Sequence, residues 1–114
     1  MNPFLEALEF IKWARDSGSG TGMAKLILSI YNDTNPFGYG ECLRPFDRDR
    51  KDLALKMIVH YHKHGEDSAL LEAGRYVTDN YPRLINLADV MADAKYDLRE
   101  KWRREKEAEY ADEE

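Results

Sequence analysis

The chain has 114 residues, which is room for one domain and no second. Apolar residues make up 43% and charged residues 34%, a balance that supports one core under a heavily charged surface. The net charge of −5 argues against a general nucleic-acid coat protein, and the single cysteine, Cys42, excludes an internal disulfide.

The N-terminus opens on Asn2-Pro3, a capping residue followed by proline at the first helical position, where its missing N–H costs nothing. Phe4, Leu8, Ile11 and Ala14 then repeat at helical spacing. The glycine-rich stretch 16–22 reads as the turn that ends this helix. Thr21 is the expected cap of a second helix, with Met23, Leu26, Ile27, Ile30 and Tyr31 as its apolar stripe. Residues 32–46 show no period and carry Pro36, Gly38, Gly40, Pro45 and three aromatic rings, so they read as a long loop. Asp47 then caps a third helix, with Leu53, Ala54, Met57, Ile58 and Tyr61 inward and Gly65 as its terminator. A fourth helix over 67–79 uses Leu70, Leu71 and Val77, and Asn80-Tyr81-Pro82 breaks it.

The last helix is the longest. Leu84, Leu87, Met91, Ala94, Leu98 and Trp102 hold helical spacing over about five turns. The expected fold is all-α, a single-domain bundle of four or five helices with a long C-terminal helix. The bundle fills residues 1–106, and residues 107–114 form an acidic C-terminal tail, with five acids and no base. Within the bundle, residues 99–106 are basic, with five bases against two acids. No apolar run approaches the ~20 residues that span a bilayer. Glu6 and Glu9 stand where a secretory leader is basic and then apolar. A cytoplasmic protein with no membrane contact is the expectation.

Familiar chemical motifs fail on spacing. A phosphate-cradling loop places Lys-Ser/Thr directly after its last glycine, behind a strand. Here Lys25 lies three residues beyond Gly22, no hydroxyl follows it, and the glycines are spaced Gly-x-Gly-x-Gly. Residues 47–58 lack the sixth-position glycine and twelfth-position glutamate of a calcium loop, having Asp52 and Ile58 there. A helix-turn-helix about Gly74 has no polar turn and runs into Pro82. His60 and His64 stand one helical turn apart and are weak candidates for a shared metal ion, with Cys42 or Asp67 needed to complete the site. Tyr61 occupies the position at which a His-Glu-x-x-His motif has its glutamate. Cys42 has no neighbour in sequence that marks it as a nucleophile, and reads as a small core residue.

Two features remain. Phe37, Tyr39 and Phe46, with Arg44 among them, have the composition of a protein-binding hot spot; the same rings also suit a plug at the open end of the bundle. The second is Trp102. A helix over 82–109 is ~42 Å long, against a radius of gyration near 13 Å for a compact chain of this length. Leu98 and Trp102 then overhang the bundle and mark a homodimer contact or a docking arm. The opposing expectation is a bend near Asp97 that folds Trp102 back over its own core.

Thr21-Gly22, an apolar helix ending in Tyr31-Asn32, the glycine- and aromatic-rich segment, Leu43, and an Asp-started helix with Met57 resemble a family of short, uncharacterised helical proteins of bacterial genomes, plasmids and phages. The resemblance covers about residues 5–64, with the segment before the Tyr31-Asn32 pair one helical turn shorter here. It implies a mobile-element context and carries over no functional residues. The expected function is a small protein-binding module rather than an enzyme, with no cofactor. Its partner is a protein, such as a host factor or defence complex that it modulates or inhibits, and nucleic acid is disfavoured. The partner-binding residues are Phe37, Tyr39, Arg44, Phe46, Leu98 and Trp102. The alternatives are a metal-dependent hydrolase built on His60 and His64, and a nucleic-acid-binding accessory protein using residues 99–106.

Overall fold

A computed structural model describes residues 1–32 and 37–112. Six helices follow in order: α1 (Pro3–Trp13), α2 (Gly18–Tyr31), α3 (Tyr39–Leu43), α4 (Arg48–His64), α5 (Ser68–Asn80) and α6 (Pro82–Asp112). Among the described residues there is no strand, so the all-α expectation holds, while the count of four or five helices is corrected to six. The extra helix is α3, five residues long, inside the stretch read as loop. Its brevity explains the miss, because five residues show too little of a period to be read. Residues 33–36 of that expected loop, and 113–114 of the expected tail, lie outside the described residues.

Side-chain caps define four of the helix starts. Asn2 accepts from the Phe4 N–H at 2.9 Å, Asp47 from that of Arg50 at 2.9 Å, and Asp67 from that of Leu70 at 2.9 Å. The fourth corrects the sequence reading. Ser17, rather than Thr21, caps α2 and accepts from the Gly20 N–H at 2.9 Å, so the glycine stretch is the first turn of α2. Close packing explains these glycines. A Cβ on Gly20 would meet the Ala14 carbonyl, and one on Gly22 would meet the Cys42 carbonyl and sit 2.8 Å from Pro45. Gly65 ends α4 at φ 66°, the left-handed region that a glycine enters without strain.

The core lies between α1, α2 and α5. The inner face of α1 contributes Phe4, Ala7, Leu8 and Ile11, and that of α2 Met23, Leu26, Ile27 and Leu28. The third wall is Leu70, Ala73, Gly74 and Val77 of α5. Gly74 lets α5 approach the Tyr31 ring, into which any Cβ there would project. α4 lies against α1 through Leu53, Ala54 and Met57, and α3 closes on α2 with the buried Cys42. Three residues expected to face inward, Tyr61, Leu71 and Leu87, are exposed. Their spacing is helical, but nothing packs over their sector of the surface.

α6 differs from the rest. It packs chiefly on α5, burying only Leu84 and Ala88 and half-burying Ile85 and Met91. Its start is tied down where the Tyr81 hydroxyl donates to the Arg15 carbonyl at 3.1 Å. At 31 residues it is ~46 Å long at 1.5 Å per residue. The molecule accordingly measures 61 × 30 × 25 Å, with a radius of gyration of 17.4 Å against ~13 Å for a compact chain of this length. Its accessible surface of 7782 Å² exceeds the ~6,400 Å² of a compact protein of this size. The helix is unbroken past Asp97, so Trp102 does not fold back onto the core. Among the described residues, no helix is long and apolar enough to cross a membrane.

Candidate functional site

The six residues expected to bind a partner fall in three places. Phe37 (6% exposed) and Phe46 (5%) belong to the core. Phe46 lies under Gly22, and Phe37 carries the Lys25 ammonium 5.6 Å from its ring centre. These two rings are therefore part of the core. Tyr39 (48% exposed) and Arg44 remain on the outside of α3, near an exposed Lys25–Glu41 ion pair at 3.0 Å. Pairs of this kind contribute little stability. Leu98 (44%) and Trp102 (56%) stand together on the projecting part of α6.

The α6 surface carries exposed apolar side chains over several turns. Leu84, Leu87, Met91, Ala94, Leu98 and Trp102 recur every three or four residues, so they form one stripe. Its first turn is buried against the body, and Leu87, Leu98 and Trp102 continue the stripe into solvent. The helix holds itself in shape beyond the body through side-chain pairs. Arg103 bridges Glu100 at 2.8 Å and Glu107 at 2.7 Å, and Lys101 reaches Glu105 at 3.9 Å. The Arg103 hydrogen bonds hold the Glu100 carboxyl below its ordinary value. The acidic residues expected as a tail thus continue the helix as far as Asp112.

A second cluster joins three helix ends. The His60 Nε2–H donates to Asp67 Oδ2 at 2.8 Å, since the carboxylate can only accept, and Asn2 Nδ2 donates to the same oxygen at 3.1 Å. Asn2 and Asp67 are also the caps of α1 and α5, so one carboxylate ties α1, α4 and α5 together. Burial pushes the Asp67 carboxyl upward, but hydrogen bonds from the Leu70 N–H, His60 and Asn2 outweigh it and hold the group below its ordinary value. His60 meets Phe4 edge-on with ring centres 5.5 Å apart, and His64 lies 4.6 Å from His60. His60 Nε2 is thus engaged by Asp67, which leaves Nδ1 as its other ring nitrogen. Among the described residues, no three His, Cys, Asp or Glu side chains are placed to hold a metal ion.

Cys42 is fully buried, and burial, reinforced by the Glu41 charge, pushes its thiol above the ordinary value despite the Ser29 contact and Lys25. It is a core residue with little thiolate to offer as a nucleophile. Sequence reasoning placed Leu98 and Trp102 on the overhanging part of the last helix, where they stand exposed, but missed the Asn2–His60–Asp67 tie. Two helix caps and a histidine one turn from a helix end are its only sequence signals. No family model matches the chain, and no curated protein or solved structure matches it.

Proposed function

We propose that this protein is a protein-binding module whose docking element is the projecting half of α6, with Leu98 and Trp102 as anchors. One observation carries the reading: a tryptophan held 56% exposed on a continuous helix that extends past its own body. A large aromatic ring in water is costly, and rings of this kind supply much of the energy where proteins meet. The helix is formed before any partner arrives, so docking need not pay for ordering it. The resemblance to proteins of plasmids and phages makes a host factor or defence complex the partner to seek, with modulation or inhibition as the outcome. A second copy of the chain is the alternative occupant of the same stripe.

The test is affinity purification from a bacterial lysate with the wild-type chain and Trp102→Ala in parallel, with light scattering on each pure protein. The expected result is a protein captured by the wild type and lost with Trp102→Ala. Identical capture by both would sink the reading, as would stoichiometric zinc in the purified protein that disappears with His60→Ala. A doubled mass for the wild type alone would give the stripe to a second copy.

A further inference from the structure

The borders of the α6 stripe point to the kind of protein it fits. Lys95 lies one turn beyond Met91 and Lys106 one turn beyond Trp102, with Arg99 between them. All three are exposed, and among the described residues none has a carboxylate partner; Lys106 rests over the Tyr110 ring at 5.9 Å. Arg103, behind this line, is already held by Glu100 and Glu107. The opposite border carries Lys101 paired with Glu105 at 3.9 Å. The acidic side chains Asp89, Asp93 and Asp97 are spaced one turn apart on the far side of the helix, where they face away from anything lying on the stripe. An apolar strip with one cationic border is therefore backed by an acidic ridge.

We infer that α6 docks an acidic amphipathic helix of another protein, its apolar side chains on Leu98 and Trp102 and its carboxylates against Lys95, Arg99 and Lys106. This rests on the protein-binding reading and adds the chemistry of the partner. The stripe runs straight for about four turns from Leu87 to Trp102, the shape a second helix packs along. Charge selects against a second copy. Antiparallel pairing of two α6 helices sets each border against itself, Lys95, Arg99 and Lys106 facing the same three residues. Parallel pairing sets that border against Lys101, which Glu105 already neutralises, so a second copy brings it no free carboxylate. An acidic helix meets neither conflict, and its carboxylates complete cations that have no carboxylate partner among the described residues.

The test uses the full chain with Trp13→Phe, which leaves Trp102 as the sole tryptophan. The probe is a synthetic peptide of about three heptads, with leucine at a and d and glutamate at e and g, compared with its lysine counterpart. The expected result is a blue shift of Trp102 emission and binding of the glutamate peptide about tenfold tighter than the lysine peptide at low salt, the gap narrowing as salt rises. Lys95→Glu/Arg99→Glu/Lys106→Glu, with helicity unchanged by circular dichroism, reverses the preference. Equal affinity for the two peptides would overturn the acidic partner yet leave the docking arm standing. Binding of neither peptide, a doubled mass without peptide, or tighter binding to duplex DNA or phosphatidylserine vesicles would also overturn it. Calorimetry with Leu98→Ala/Trp102→Ala separates the two claims, because unchanged binding of the glutamate peptide would remove the docking arm itself.

Discussion

α1 and α6 are both amphipathic helices begun by a proline, yet α1 buries four of its 11 residues and α6 two of its 31. The difference lies in the neighbours rather than in the stripes. α1 is covered by α2, α4 and α5, whereas α6 meets the body over its first turns and then leaves it. An apolar stripe stabilises a fold only where another surface removes it from water. The same spacing that makes a core in the first helix thus makes an interface in the last.

Truncations at equivalent points of the two stripes should break the symmetry most clearly. Phe4→Ala empties a fully buried position and should cost about 3–5 kcal/mol in urea unfolding. A loss under about 1 kcal/mol would mean that the α1 wall is not the core. Gly22→Ala comes next. In an open helix this change gains about 1 kcal/mol, but here the new Cβ meets the Cys42 carbonyl, which no rotamer change relieves. A net destabilisation of about 1–3 kcal/mol is expected. A stabilised variant would show that α2 and α3 do not approach so closely.

Asp67→Ala removes a helix cap and the oxygen shared by His60 and Asn2, for a loss of about 1–2 kcal/mol at neutral pH. Its pH dependence follows from the lowered carboxyl pKa. The contribution is whole above the ordinary value of 3.8 and is lost as pH falls through the depressed folded-state value. The wild type should therefore lose its advantage over the variant in acid below that ordinary value, and a difference that stays constant there would remove Asp67 from the account. Trp102→Ala has the smallest expected effect on folding, within about 0.5 kcal/mol, because the side chain is more than half exposed and lies outside the core. A drop comparable to that of Phe4→Ala would place Trp102 in a core.

Much of the helical frame was legible because its signals are local. Asn2, Asp47 and Asp67 accept from N–H groups two or three residues ahead, Gly65 takes a left-handed turn, and Pro82 lacks the N–H needed to continue α5. Each depends on a few adjacent residues, so sequence specifies it wherever the chain lies in space. The length of α6 and the outward position of Leu98 and Trp102 were legible too, since a stripe longer than the body beside it has nowhere to be buried.

The remaining features were decided between elements. Three glycines in the first turn of α2 disfavour a helix taken alone, and they became helical because Ala14 and Cys42 press against Gly20 and Gly22. Phe37 and Phe46 carry the composition of a binding surface yet are buried, Phe46 in the space that Gly22 leaves beside α2. Tyr61, Leu71 and Leu87 keep helical spacing and stayed exposed for want of a covering element. By itself the sequence determined the starts of α1, α4 and α5, the glycine end of α4 and the apolar stripes of the longer helices, because caps, prolines and periodicity act over one or two turns. Which apolar faces are covered, which glycines stand at contacts, and that one carboxylate ties three helices were decided only by the tertiary structure, because burial and close approach belong to pairs of elements far apart in the chain.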